Sequence, residues 1–489
     1  MPPQTYERLS GMDHTFLMFE EAQTHMHVAA TMIFDAKPLS WPDGGIDIER
    51  IRAYTASRLH LMPRYRQRLA YTPLDRHPIW VDDDHFNINY HVRHTCLPRP
   101  GDVRQLKRLA GRIMSQQLDR HRPLWEIWVV EGLEGGRFAL VSKTHHCMID
   151  GIAGVDLLAV MLHPEPNQEF EEPPPFVNRP IPGPITLMRD EVGRLARSPL
   201  GFARQVCQGL REPEWFRSEV ADRVRTFLGT VLGLRGPGET PLNRPIGPHR
   251  RFDWIAMDLA AVRDVKNRLG GTVNDVVLAT VAGAARAFLK RRRAHVDSLN
   301  YRVLAPVSMR TQSEEGTLGN RISMWLIDLP IAEPDPRRRV EQIRAATSEL
   351  KESRQALGAE LLTQATEWTG STLLSVGVQI LHRALPFNLI VTNVPGPQIP
   401  LHFLDAQLLE CYPLVPLFRR QGLGVALFSY AGRLFWGFNA DWDLVPDLWL
   451  FKDAIVASFD ELRTVAPPAK RAAPPPARQR GLRGSSAEA

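Results

Sequence analysis

Hydrophobic residues in the first third of the chain follow two spacings, one typical of strands and one typical of helices. Leu106, Leu109 and Ile113 share one face at helical spacing, so we expect a helix over residues 103–118. Another helix is expected over residues 48–61. Runs rich in β-branched and aromatic residues predict strands at residues 26–34, 78–81, 90–94, 125–130 and 137–144. The last two of these flank a glycine-rich turn and predict a hairpin.

The second half of the chain repeats this mixture. Gly270-Gly271 closes a helix that begins near Leu259, and Thr272 is placed to cap the next helix, with Asp275 in its first turn. The further predicted helices are residues 337–357 and 446–462. The predicted strands are residues 251–257, 301–307, 322–329, 388–393, 424–430 and 433–439. Strands and helices mix without regular alternation, which favours two α/β domains of the α+β type with mixed sheets over a barrel or a doubly wound fold.

A break in the pattern separates the two halves. Residues 164–184 are rich in proline and acidic side chains, which is typical of a linker. Over residues 185–235, apolar residues are interleaved with arginines, and this helical region either lies against a bilayer surface or packs on the protein itself. The tail from Pro467 is rich in proline, alanine and arginine, and we expect it to be disordered. The predicted units are an N-terminal domain (1–163), a linker with the amphipathic region (164–245), a C-terminal domain (246–465) and a tail (466–489).

Composition narrows the class of protein. With 489 residues, of which 44% are hydrophobic, the chain can bury a large core and should form more than one domain. Its four cysteines are scattered without metal-ligand spacing, which indicates a reduced, cytosolic setting. We expect no signal peptide and no membrane span, because no apolar stretch in the sequence has the required length. The formal charge of +6 fits a lipid surface, a phosphorylated cofactor or nucleic acid, and no recognisable nucleic-acid module supports the last of these.

Candidate chemistry concentrates in one motif, which follows the predicted strand 137–144. It reads His145-His146-x-x-x-Asp150-Gly151. An imidazole whose ring and tautomer are fixed can take a proton from a hydroxyl, and the Asp-Gly turn allows a tight chain reversal that leaves a histidine in a cleft. The alternative is a pair of strand-end histidines that bond to the backbone, with Asp150 capping the next helix. We expect Cys147, inside the motif, to be a small buried residue rather than a nucleophile.

Other motifs accompany this one in a fixed order: Pro241-Leu242-Asn243, Asn274-Asp275 and Asn393-Val394-Pro395-Gly396-Pro397. Together the motifs resemble those of the bacterial wax ester synthase/acyl-CoA:diacylglycerol acyltransferases, within the CoA-dependent acyltransferase superfamily that includes chloramphenicol acetyltransferase and peptide-synthetase condensation domains. The resemblance runs from about Arg8 to Leu462 and departs at Thr392, where the family more often has serine. It implies two chloramphenicol-acetyltransferase-like domains, with an active-site channel between them that acyl-CoA and the acceptor alcohol enter from opposite mouths.

The resemblance also implies a division of roles within the first motif. His146 would be the general base that takes the proton of the acceptor hydroxyl. His145 would be mainly structural, with contact to the acceptor as the alternative. Asp150 would point away from substrate and make an ion pair that, with Gly151, holds the motif loop.

Two positions in the later motifs could stabilise the oxyanion. Asn274 and Thr392 each carry a hydrogen-bond donor, but Asn274 also suits the first turn of a helix and Thr392 a strand interior. Asp275 and Asn393 belong to the same motifs and are expected to support the site. CoA phosphates should attract arginine or lysine at one mouth, without the sequence indicating which residues.

The expected reaction makes triacylglycerol from diacylglycerol and a long-chain acyl-CoA, which is the co-substrate. No permanently bound cofactor or metal is expected. A long-chain fatty alcohol is the alternative acceptor and would give a wax ester, and a different alternative is an inactive lipid-binding protein of the same fold. We expect a cytoplasmic protein that associates peripherally with the inner face of the membrane or with lipid droplets.

Overall fold

The chain forms two large mixed β-sheets and one small sheet in a computed structural model. The structure describes residues 5–42, 44–148, 160–166, 170, 172, 174–194, 237–308, 322–352 and 387–466. In chain order the strands are β1 (Glu7–Arg8), β2 (His27–Asp35), β3 (Gln67–Tyr71), β4 (Pro78–Asp82), β5 (Val92–Cys96), β6 (Trp125–Leu133), β7 (Arg137–His145), β8 (Leu162–His163), β9 (Arg250–Asp258), β10 (Tyr301–Ser308), β11 (Ile322–Leu329), β12 (Leu389–Pro395), β13 (His402–Phe403), β14 (Ala406–Leu414), β15 (Leu423–Tyr430) and β16 (Arg433–Asp441). The α-helices are α1 (Gly11–Phe19), α2 (Ile48–Arg58), α3 (Ile88–His91), α4 (Val103–Met114), α5 (184–194), α6 (Leu259–Leu269), α7 (Val273–Arg291), α8 (Pro336–Glu352) and α9 (Leu448–Val465).

The first large sheet has seven strands in the order β5-β6-β7-β2-β14-β13-β8. The pair β5 and β6 is parallel, while the pairs β6–β7, β7–β2 and β2–β14 are antiparallel. Residues 138–145 of β7 are all buried, so this strand has protein on both faces. Both faces being covered explains the unbroken apolar run at residues 138–141, and the polar residues 142–145 that follow are buried as well.

The second large sheet has six strands in the order β11-β10-β12-β15-β16-β9. Its centre is parallel, because β12 runs parallel to both β10 and β15, and its edges are antiparallel. Helix α7 supplies much of the core beside this sheet and is buried from Asp275 to Ala285. A third, small sheet joins β1, β4 and β3.

The two halves of the chain are interlocked rather than merely adjacent. Strands β13 and β14 come from the second half but lie in the seven-stranded sheet, where β14 pairs with β2. The hydrophobic core of that sheet accordingly includes residues of both halves. The unit boundaries predicted at 163/164 and 245/246 stay predictions, but membership of the first sheet does not follow them.

A smaller apolar cluster also joins the halves. Phe19 is the last residue of α1, and Met26 immediately precedes β2. Both pack with Ile390 of β12 and with Phe387 and Phe418. Because Phe19 belongs to α1, this apolar packing brings β12 close to α1.

Most predicted elements are confirmed, with two local corrections. The hairpin of β6 and β7 and the Thr272 cap of α7 are present. Residues 88–91, whose last two fall in the predicted strand 90–94, form the short helix α3, and the strand runs instead from Val92 to Cys96. The helix predicted to reach residue 118 ends at Met114, where the Ser115 hydroxyl donates to the Gly111 carbonyl.

Among the described helices, none is by itself long and apolar enough to cross a membrane. The pair α6 and α7 meets the combined requirement of length and apolar composition only jointly, and the two are bent by 95° at the break between them.

Candidate active site

The two motif histidines lie where β7 ends. His145 pairs with His27 of β2, and its backbone N–H donates to the carbonyl of Leu124 over 2.9 Å. The backbone N–H of His146 donates to the carbonyl of Met26 over 2.8 Å. His145, the last residue of β7, is fully buried, while His146, the first residue of the turn that follows the strand, is only half-buried.

The His146 ring is held against α1. It stacks on the Phe16 ring with the centroids 3.8 Å apart and the planes 21° from parallel. Ser10 caps α1 by accepting from the Asp13 backbone N–H over 3.1 Å, which fixes where the helix begins. The stacking therefore limits rotation of the imidazole while leaving part of it accessible, as a general base requires.

His145 has a defined hydrogen-bonding arrangement. Its Nδ1 accepts from the Cys147 backbone N–H over 3.2 Å. A ring nitrogen that accepts carries no proton, so in the neutral ring the proton lies on Nε2. That Nε2 faces the Glu20 carboxylate, whose Oε1 is 3.6 Å away.

Glu20 is a buried acid that the sequence analysis did not identify. Its side chain is 1% exposed, and its Oε2 receives the Arg120 guanidinium through Nε at 2.9 Å and Nη2 at 2.6 Å. His27 also faces Oε1, with its Nε2 3.5 Å away. Burial acts to raise the pKa of Glu20, but the contacts with His145 and His27 outweigh it and hold this pKa well below its ordinary value.

The histidine beside Glu20 on β2 is neutral at ordinary pH. Burial lowers the pKa of His27 to about 3, despite the opposing effect of the Glu20 carboxylate. In the sequence, Glu20 is one of two adjacent glutamates after a helix, and its main partner Arg120 is distant along the chain. Only a prediction of that long-range contact would have singled it out.

The rest of the first motif is described as far as Met148. Cys147 is buried, and burial raises the pKa of its thiol well above the ordinary value, with Asp13 and Glu20 adding to the effect. The expectation of a small buried residue here is confirmed, since such a thiol does not ionise to a nucleophile. Asp150 and Gly151 lie outside the described residues, so their predicted roles stay predictions.

The Asn274-Asp275 motif begins helix α7. The Asp275 carboxylate accepts from the backbone N–H and the hydroxyl of Thr272, over 2.7 and 2.8 Å, and from the Thr347 hydroxyl over 2.9 Å. Thr272 in return accepts from the Asp275 backbone N–H, which completes a reciprocal cap. Asp275 therefore holds the helix start, and Asn274 beside it is half-buried in the first turn.

The Pro-Leu-Asn motif ends in a network of amides. Asn243 donates to the carbonyls of Asn388 and Arg420, over 2.9 and 3.1 Å. It accepts from the Thr240 hydroxyl and from the Asn388 amide. These bonds fix the motif to the chain just before β12, so its residues shape the structure around that strand.

Thr392 and Asn393 lie on β12, both half-buried. Thr392 pairs with Ala426 of the neighbouring strand β15, and Ala426 belongs to the apolar cluster that contains Phe19. At the end of the motif, the Gly396 N–H donates to the Ser429 carbonyl over 2.9 Å. A Cβ at Gly396 would lie 2.3 Å from the Phe428 ring, so the close approach of these two segments of the chain requires glycine.

Comparison with known proteins gives two matches to family models. Residues 9–277 match the wax ester synthase/diacylglycerol acyltransferase catalytic domain, and residues 318–463 match the WS/DGAT C-terminal domain. A putative diacylglycerol O-acyltransferase of Mycobacterium tuberculosis (strain ATCC 25618 / H37Rv) is similar over 475 residues at 33% identity, covering 93% of this chain and 90% of the relative.

Solved structures agree with these matches. The chain is similar to the wax ester synthase/diacylglycerol acyltransferase of Marinobacter aquaeolei VT8, with a TM-score of 0.64, 25% identity, and coverage of 94% of this chain and 99% of that one. It shares its fold with a mutant starter condensation domain of rhizomide synthetase solved with C8-CoA, with a TM-score of 0.57, 13% identity, and coverage of 94% and 96%. The predicted fold class of two mixed-sheet halves is confirmed.

Proposed function

Because the chain belongs to the wax ester synthase/diacylglycerol acyltransferase family, we propose that it transfers the acyl group of a long-chain acyl-CoA to diacylglycerol, forming triacylglycerol. The observation that carries this proposal is the placement of His146. Its ring is half-buried at the end of β7, stacked on Phe16, with its backbone fixed by Met26. A fixed, partly accessible imidazole can act as the general base that the reaction needs.

The reaction proceeds without an acyl-enzyme. His146 removes the proton of the acceptor hydroxyl as the oxygen attacks the thioester carbonyl, which gives a tetrahedral intermediate. The intermediate collapses with cleavage of the carbon–sulfur bond, and the departing CoA thiolate takes the proton from His146. Such proton transfer contributes about 100-fold to 10,000-fold to the rate. Cys147 is not the nucleophile, because its thiol is buried and its pKa is raised.

The negative oxygen of the intermediate requires a hydrogen-bond donor. Thr392 and Asn274 are the candidates, and both side chains are half-buried rather than sealed in a core. Loss of such a donor costs roughly 3–4 kcal/mol in the transition state. We expect Thr392→Val to lower kcat by a corresponding factor if Thr392 is the donor, and Asn274→Ala to do so if Asn274 is.

The test uses purified protein, labelled long-chain acyl-CoA, and either diacylglycerol or a long-chain alcohol as acceptor. Release of CoA with labelled triacylglycerol is expected, with loss of activity in His146→Ala and no loss in the control His121→Ala, whose histidine is exposed. Preferential labelling of a wax ester would assign the alcohol as acceptor. Equal rates in wild type and His146→Ala would refute the general-base role, and no CoA release with either acceptor would leave the lipid-binding alternative.

We also propose that the protein contacts a membrane or lipid-droplet surface peripherally, on the cytoplasmic side. The support is helix α5, whose outward face is apolar: Ile185 is 85% exposed, Val192 52%, and Met188 lies between them. On the inward face, the buried Glu191 accepts from the backbone N–H groups of Leu74 and Asp75, over 3.0 and 2.8 Å. The helix is thus fixed by Glu191 and by Leu187, which is buried in an apolar cluster, while its other apolar residues lie on the outside, where an ordinary surface helix carries polar residues.

A lipid surface suits this face because its chemistry is mixed. Arg189, between Met188 and Val192 in the sequence, is 76% exposed and can reach anionic headgroups while the apolar residues enter the interface. The test is flotation of the full chain with vesicles of neutral and anionic phospholipid. The double variant Ile185→Glu/Val192→Glu should float less, whereas Val456→Glu, which changes an apolar residue on α9 that is 41% exposed, should float like wild type. Unchanged flotation of the double variant would refute the assignment of this face.

A further inference from the structure

We propose that Glu20 is a positioning residue for the acyl transfer, which holds His145 in its Nε2–H tautomer and thereby fixes the turn that carries His146. The inference deepens the proposed function and rests on His146 as the base. Glu20 lies one residue beyond the end of α1, and its carboxylate faces the His145 ring of the motif.

The first step concerns the charge on Glu20. Arg120 binds Oε2 with two of its nitrogens in a forked arrangement, and the Glu20 side chain is almost completely buried. A carboxylate with a bidentate guanidinium partner remains ionised, because the pair compensates the cost of burial. Ionised Glu20 has only acceptor atoms, and its Oε1 is the one that faces the two imidazoles.

The second step concerns the imidazole of His145. Its two ring nitrogens have partners of opposite kinds. Cys147 donates an N–H to Nδ1, which calls for an unprotonated nitrogen, and the Glu20 carboxylate oxygen lies opposite Nε2, which calls for a protonated one. Both demands are satisfied only when Nδ1 is bare and Nε2 carries the proton. Because the ring is fully buried, bulk solvent does not reach it, and the choice of tautomer is set by the protein groups on both sides of the ring.

The third step links this tautomer to His146. Three consecutive backbone N–H groups at the end of β7 are bonded, those of His145 to Leu124, His146 to Met26 and Cys147 to the His145 ring. The first two depend on neighbouring backbone. The third depends on a side chain whose bare Nδ1 Glu20 maintains, so loss of the carboxylate would release the peptide unit immediately after His146.

Other charged groups near this site do not replace Glu20. His27 shares Oε1 but is neutral, because burial lowers its pKa to about 3. Lys143, buried two residues before His145, donates to the carbonyls of Ile113 and Gln116. The acid facing His145 is therefore Glu20.

The decisive variant is Glu20→Gln, which keeps the shape and removes the charge. Its amide oxygen would be drawn to Arg120, which leaves the NH₂ group facing His145 Nε2 and demands a bare nitrogen there. That demand conflicts with the Cys147 N–H on the other side of the ring. We expect kcat to fall by about 10-fold to 100-fold, by analogy with the range found when the hydrogen-bond partners of metal-ligating histidines are removed, while KM for both substrates stays near the wild-type value.

Matched variants separate this effect from general damage. Glu21→Gln makes the same change at the next residue, a partly exposed glutamate 3.9 Å from Arg419, and should retain wild-type kcat. Glu20→Asp keeps the charge at a greater distance and should recover part of the loss. Wild-type kcat in Glu20→Gln would overturn the proposal.

A second measurement does not depend on turnover. In protein labelled with ¹⁵N at the histidine rings, the ring-nitrogen resonances report which nitrogen is protonated, and His145→Gln identifies the His145 signals. We expect Nε2 to be protonated in wild type and the proton to move to Nδ1 in Glu20→Gln. An Nδ1–H tautomer in wild type overturns the proposal even if the variants fail to fold, and an unchanged tautomer in a slow Glu20→Gln assigns Glu20 a merely structural role. If wild type transfers no acyl group, the proposed function fails while these resonances still decide the tautomer.

Discussion

Replacing Asn243 by alanine should destabilise the protein without impairing catalysis by the folded enzyme. The side chain makes four hydrogen bonds, two as donor to the carbonyls of Asn388 and Arg420 and two as acceptor from Thr240 and Asn388. The bond to Arg420 is at an exposed position, where water can replace it. The other three contribute about 1 kcal/mol each, so we expect a loss of about 2–4 kcal/mol in the free energy of unfolding.

This loss can be measured as a shift in the thermal unfolding midpoint. For a folding unit of 150–250 residues, each kcal/mol corresponds to about 2–4 °C, so the midpoint of Asn243→Ala should fall by about 4–16 °C. Asn267→Ala is the matched control, because Asn267 is exposed on α6 and its replacement should leave the midpoint nearly unchanged. Well below the midpoint, kcat/KM of Asn243→Ala should equal that of wild type. A variant with a wild-type midpoint and a lost kcat/KM would show that the Pro-Leu-Asn motif acts on substrate, contrary to this reasoning.

Three further variants test the other motifs and the buried histidines. Asp275→Ala removes the half of the α7 cap that the Asp275 carboxylate supplies, together with the bond from Thr347, and should cost about 2–3 kcal/mol of unfolding free energy, with Thr347→Val losing only part of this. Equal stability of Asp275→Ala and wild type in urea would contradict the capping role. Gly396→Ala places a Cβ against Phe428 and should lower the free energy of unfolding by about 1–3 kcal/mol, whereas Gly183→Ala, which has open space, should leave it unchanged. An unchanged free energy of unfolding in Gly396→Ala would mean that the backbone at residue 396 moves away from Phe428 at no cost. Burial lowers the pKa of His91 to about 4, against the opposing bond to the Trp125 carbonyl, so the unfolded chain binds a proton that the folded chain does not, and stability falls as pH drops from about 6.5 to 4. Urea midpoints across this range should fall less steeply in His91→Gln, and an identical slope would refute the assignment.

The sequence was sufficient for elements whose pattern is local. The hairpin that delivers His145 and His146 follows from two apolar runs and a glycine-rich turn, and the Thr272 cap follows from residues three positions apart. The family resemblance rested on ordered motifs and is confirmed by the matches over 9–277 and 318–463.

What the sequence analysis missed depends mostly on distant contacts. Glu20 matters because Arg120 and His145 meet it in space, and no spacing rule connects those positions. Strand β14 was overlooked, although its residues alternate between buried and partly exposed, because its role is completed only by pairing with β2. Helix α1 was also not predicted, although Ser10 and Asp13 give it an ordinary capping signal.

The pairing of β2 with β14 has a consequence for how the protein is made. Phe34 is synthesised 374 residues (408 − 34) before its partner Leu408. At about 5–20 residues per second, roughly 20–75 s separate their synthesis. During that interval one edge of β2, an apolar strand, has no partner and can pair with other chains. We therefore expect residues 1–240 expressed alone to aggregate. Co-expression with the remaining residues should restore soluble protein only if β14 pairs with β2 before the first half aggregates.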